Sequence, residues 1–104
     1  MITGKCIREI RFRNRYVILK GDTLRITWPD AKLNPAQVEV HHGATVIPYS
    51  AAASLAWIGL KATMEELESA VDEGICETPS GIRVEPDGID SQGVPSWLAI
   101  HSLI

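Results

Sequence analysis

The chain has 104 residues, 45% of them apolar and 22% charged, with three tryptophans and a formal charge of −3. This is the composition of a soluble globular domain, and the length supports one hydrophobic core, which argues against a second domain or a large buried cavity. The longest weakly polar stretch, Ala51 to Leu60, is about half of the ~20 residues a membrane span needs, and no basic-then-apolar leader opens the chain.

Two cysteines, Cys6 and Cys76, are too few for a disulfide scaffold and form no C-x-x-C pair, so a reduced, cytoplasmic setting is expected. Charge is unevenly placed. Residues 1–50 hold eight of the ten Lys and Arg against four acids, a balance of +4, while residues 51–104 hold Lys61 and Arg83 against nine acids, a balance of −7. Such segregation bears on association and steering rather than on fold. It is satisfied internally if the acidic half folds back over the basic one.

The first half reads as strands. Cys6 to Phe12 and Tyr16 to Lys20 flank Arg13-Asn14-Arg15 as a hairpin, with Asn14 the residue that tolerates a left-handed turn. Gly21-Asp22 leads into Thr23 to Trp28, where Leu24, Ile26 and Trp28 alternate with Thr23, Arg25 and Thr27 as in a half-buried strand. Pro29-Asp30 and Asn34-Pro35 bound a loop. Gln37 to His41 alternates again with Val38 and Val40 inward, His42-Gly43 turns, and Ala44 to Pro48 makes a strand whose proline belongs at a sheet edge.

Residues 49–60 admit two readings. Ser50 before three alanines caps a helix carrying Leu55 and Trp57, or Ala51 to Ala53 makes one turn and Ser54 to Ile58 returns as a strand. The period-two spacing of Leu55 and Trp57 favours the strand. Thr63-Met64-Glu65-Glu66 then has the form of a capping box, and a helix over about 64–73 follows. Its inward stripe is Met64, Leu67, Ala70 and Val71, and Gly74 supplies the stop, with Ile75 folding back towards Ala70. Thr78 to Gly81 turns, Ile82 to Val84 is a short edge strand, and Pro86 to Gly93 is a loop. Pro95 opens a last, almost wholly apolar helix running to about 103. The predicted fold class is α+β in a single domain, 1–104. An N-terminal antiparallel sheet or small, partly open β-barrel of about five strands precedes two C-terminal helices, at about 64–73 and 95–103.

Few residues suggest chemistry. His41 and His42 are neighbours on a strand and so face opposite ways, and no further ligand stands at zinc spacing. Asp87 to Gly93 has alternating oxygens and glycines, but counted as a calcium loop from Asp87 its third and twelfth positions are Ile89 and Leu98. Cys6 and Cys76 read as small core residues. Without a nucleophile elbow, phosphate loop or dinucleotide fingerprint, neither enzyme activity, cofactor nor metal is expected.

Charge offers two binding surfaces. Arg11, Arg13 and Arg15 on the hairpin, followed by Lys20 and Arg25, with Phe12, Tyr16 and Trp28 nearby, suit an anionic partner. Phe12 and Trp28, however, fall in the apolar phase of their strands and read as core. On the acidic helix Glu65, Glu68 and Asp72 form a stripe beside Glu66 and Glu73, which suits a basic protein partner. The apolar end, Trp97, Leu98, Ile100, Leu103 and Ile104, reads as core, with any surplus forming a homodimer seam. The leading expectation is a non-enzymatic protein-interaction module, in the manner of a regulator or inhibitor encoded by a mobile element, with no membrane partner. The alternative is a nucleic-acid-binding accessory protein using the basic hairpin.

Overall fold

A computed structural model describes residues 1–104. Its centre is an open antiparallel sheet of four strands, β1 (Ile2–Lys5), β4 (Thr23–Thr27), β5 (Gln37–His42) and β6 (Thr45–Ser50), in the order β1-β4-β5-β6. The sheet does not close into a barrel. Alternation decides its two faces. Ile2, Ile26, Val40 and Ile47 stand in one register row on the core side, whereas Thr3, Arg25, His41 and Val46 form the neighbouring row on the outer side. Pro48, which has no amide to donate, lies on the edge strand β6.

The basic hairpin is present but shorter than its two apolar runs. β2 (Ile10–Arg11) pairs with β3 (Val17–Ile18) as a separate two-stranded ribbon, with Ile10 and Ile18 turned into the core. Upstream, β1 takes the place beside β4, and Cys6 continues that pairing through its bonds with Gly21 and Asp22. The left-handed turn residue is Arg15, with φ of 70°, rather than Asn14. A three-residue hairpin loop puts its left-handed position last. Arg15 N–H bonds to the Phe12 carbonyl, and Asn14 instead accepts from Tyr16 N–H with its side-chain oxygen.

Residues 51–57 form a helix, α1 (Ala51–Trp57), which corrects the expected turn and strand. Ser50 caps it by accepting from Ala53 N–H. Gly59, at φ of 82°, closes it with the paired bonds of a Schellman end, Gly59 N–H to Ala56 and Leu60 N–H to Leu55. Leu55 and Trp57 are both buried because α1 is covered on two sides: it packs on β5 and β6, while Trp57 meets Phe12 of the hairpin edge-on at 5.8 Å.

The helix α2 (Met64–Glu73) has the expected capping box, in which Thr63 Oγ1 accepts from Glu66 N–H and Glu66 accepts from Thr63 N–H. Gly74 ends it in the left-handed conformation. Only Leu67 and Ala70 of its apolar stripe are buried; Met64 and Val71 are 66% and 59% exposed. The helix rests on a narrow strip formed by β7 (Cys76–Glu77) and α3 (Trp97–Ile100). β7 pairs with β8 (Arg83–Val84) across the turn at Thr78 to Gly81.

The last helix is a single turn, not the longer one expected from Pro95. Pro95 is held in a bridge to Ile89, Ser96 is the cap, and Ser102 at φ of 57° ends the turn with Leu103 N–H bonded to the Leu98 carbonyl. Trp97, Leu98 and Ile100 join the core, whereas Leu103 and Ile104 are 51% and 61% exposed. Both cysteines are buried. One cluster of sixteen buried residues runs from Cys6 to Ile100 and draws on both halves of the chain. No helix is long and apolar enough to cross a membrane.

Candidate functional site

The tip of the basic hairpin is built on an aromatic base. Phe12 lies 6.0 Å from Tyr49 and 6.1 Å from Tyr16, and Tyr49 lies 4.7 Å from Trp57, so the ribbon is fixed to β6 and α1 by four rings. Trp57 is buried, Phe12 and Tyr16 are half-buried, and Tyr49 is 38% exposed. Arg11, Arg13, Asn14, Phe12 and Tyr49 surround a shallow concavity of about 560 Å³. Arg15 is exposed at the same loop. Lys20 lies exposed beyond β3, and Arg25 stands on the outer face of the sheet, where its Nη2 is 3.4 Å from His41 Nδ1. Of the five basic residues singled out from sequence, Arg11 and Arg13 share this concavity, and Arg25 belongs to another surface.

Beside the hairpin is a group that no sequence pattern announces. Asp22 Oδ2 accepts from His42 Nε2 at 2.8 Å, and His42 Nδ1 then accepts from the Tyr16 hydroxyl at 2.5 Å. Leu19 N–H also donates to Asp22 Oδ2 at 3.0 Å. That amide bond first, and the His42 hydrogen bond second, hold the Asp22 carboxyl below its ordinary value near 3.8. A carboxylate, imidazole and phenol in this order can pass a proton from the phenol to the ring. None of the three residues lines the hairpin concavity or the groove beside α2. Their effect is to tie the hairpin, the turn before β4 and the end of β5 together. His41 and His42 face opposite sides of the sheet, and His41 Nε2 meets the Thr27 hydroxyl at 3.0 Å.

A second concavity is a groove of about 490 Å³ between α2, the β7–β8 ribbon and α3. Leu67, Ala70, Cys76 and Trp97 form an apolar floor. Around it stand Glu65, Glu66, Glu73 and Glu77, with Arg83 as the one basic side chain. Of the acidic stripe read from sequence, Glu65 reaches this rim, while Glu68 and Asp72 are exposed outside it. The signal for the correct face was Ala70: Glu66 and Glu73 lie four residues before and three after it, and so share its side of the helix. Glu77 and Trp97 are brought in by tertiary packing alone.

Asp90 in the former calcium-like loop is buried and already engaged. One carboxylate oxygen accepts from Thr78 Oγ1 at 2.7 Å and the other from the amides of Gln92 and Val94.

The charge poles remain unpaired with each other. The ion pairs are Arg11 with Glu9 and Arg83 with Glu73, and the His42–Asp22 hydrogen bond likewise joins residues of the same half of the chain. Arg83 and Glu73 are 3.9 Å apart and exposed. Arg13 and Arg15 enter no ion pair, so the fold does not use the acidic half to neutralise the basic hairpin. Comparison with family models, with curated proteins and with solved structures found no match to this chain.

Proposed function

We propose that the chain is a non-enzymatic protein-interaction module that takes a basic segment of a protein partner into the α2 groove. The supporting observation is the groove itself: an apolar floor ringed by four carboxylates and one guanidinium, a formal excess of three negative charges. Apolar floors reward the methylene stems of Lys and Arg, and carboxylate rims receive their charged heads. A module of this size acts by occupying a surface of its partner, as a regulator or inhibitor does. The test is a titration of the chain with a synthetic peptide alternating arginine and leucine, followed by fluorescence anisotropy. E73Q/E77Q should weaken binding about two- to thirtyfold, since each exposed ion pair contributes about 0.2–1 kcal/mol. Equal affinity for the native chain and the variant would remove the groove from the reading.

A second reading, a nucleic-acid-binding accessory role for the hairpin, is favoured by one feature. Tyr49 presents a partly open ring among Arg11, Arg13 and Asn14, the pairing of stacking surface and phosphate contacts that single strands require. Retention of a labelled single-stranded oligonucleotide that falls with salt, and is lost when Arg11, Arg13 and Arg15 are changed together to Ser, would support it. Retention unchanged by that variant would dismiss it.

A further inference from the structure

We infer that one occupant of the acidic groove is the basic hairpin of a second copy of this chain, giving head-to-tail association. The inference rests on the groove reading above and specifies its partner. Three observations lead to it. First, the two poles are complementary and neither neutralises the other within one molecule, because every ion pair stays inside its own half of the chain. Second, hairpin concavity and groove share no lining residue, so one copy can offer both surfaces at once.

Third, the hairpin tip keeps an arginine where the backbone disfavours one. Arg15 sits at φ of 70°, a conformation that costs most side chains energy and that glycine or asparagine fills more readily. Arg13 and Arg15 thereby bracket the loop with two exposed, unpaired guanidinium groups. Each has a stem that can lie on Leu67, Ala70 and the Trp97 ring while its head reaches Glu73 or Glu77. Arg83 beside Glu73 already shows a guanidinium in contact with that rim.

Such a contact joins two different surfaces, so it is heterologous: copies add in a row or close into a ring rather than stopping at a two-fold pair. One hairpin tip in one groove is a small contact dominated by charge. It should therefore form at low salt and dissolve when the Debye length shrinks to about 3 Å near 1 M salt.

The test uses two variants that each disable one surface without creating a new complement. R13Q/R15Q keeps the groove and loses the tip, and E73Q/E77Q keeps the tip and loses the groove while sparing the Thr63–Glu66 cap. Thermal melting by circular dichroism checks that both fold, and E65Q/E73Q replaces the second if Glu77 proves necessary to the β7–β8 ribbon. In sedimentation velocity at about 10 mM salt, the native chain should form species well above 11.4 kDa that grow with concentration. Each variant alone should remain at the monomer mass. Their equimolar mixture has one productive contact per pair and should stop at twice that mass. A native chain that stays monomeric at low salt, or a mixture no heavier than its components, would overturn the inference. So would a salt-insensitive dimer unaffected by either variant, which would place association at Leu103 and Ile104. If the native chain stays monomeric yet binds the arginine–leucine peptide through Glu73 and Glu77, self-association falls and the groove reading stands; if the peptide also fails, both fall.

Discussion

Arg15 and Asp22, seven residues apart, hold the two ends of the hairpin by different means. At Arg15 the side chain is kept against a backbone preference, so Arg15→Gly should raise stability by about 0.5–1 kcal/mol by relieving the left-handed strain. Urea denaturation measures this, and a lower midpoint would mean that the arginine side chain itself supports the fold. Asp22 acts through charge. Its folded pKa is lowered by the Leu19 amide and by His42, so its contribution is fully present above the unfolded value of about 4. It is lost as the pH falls through the lower folded value. Asp22→Asn should therefore flatten the acid limb of a plot of melting temperature against pH and leave the His42 ring without its carboxylate. An acid limb identical in both proteins would show that other carboxylates set it.

Helices carry most of the difference between what the chain spells out and what it builds. Thr63, Glu66 and Gly74 announce α2 because capping is local chemistry, set by residues within four positions of one another. Thr63→Ala should cost about 0.5–2 kcal/mol, since one amide loses its side-chain acceptor; an unchanged denaturation midpoint would show that the cap is redundant. α1 carries equivalent signals in Ser50 and Gly59, yet Leu55 and Trp57 mimic a strand. Alternation of two buried side chains means a strand only when one face is covered, and α1 is covered by the sheet on one side and the hairpin on the other. The half-exposure of Met64 and Val71 has the complementary cause, a helix whose neighbours cover less than its apolar stripe. The strands Thr23 to Thr27 and Gln37 to His42 were legible because one sheet face is buried and the other polar. Of the groove, the helix and Glu65 were legible, while Glu68 and Asp72 of the same stripe fall outside it. Glu77 and Trp97 were not, because residues on different elements meet only once the whole chain has folded.

Across the whole molecule, the C-terminal segment belongs to the core. Val94, Leu98 and Ile100 are fully or almost fully buried, and Trp97 is 9% exposed. Burial of this kind contributes about 1.5–3 kcal/mol per side chain before entropy, a sum comparable with the entire net stability of a domain this size. Ending the chain after Gly93 should abolish the cooperative melting transition and expose surface that binds a hydrophobic dye. A truncated chain melting as the parent does would remove the segment from the core. The strand order has a consequence of its own, in time rather than space. β4, β5 and β6 are sequential neighbours joined by short connections, but β1 reaches β4 only after residues 6–22 have looped out between them. Closing that loop costs entropy before the contacts repay it, so the three-stranded meander should assemble first and β1 should dock last. In kinetic terms, Ile2→Val should speed unfolding and leave the refolding rate nearly unchanged, whereas Val40→Ala should slow refolding. The first strand synthesised is then the last to be locked in place.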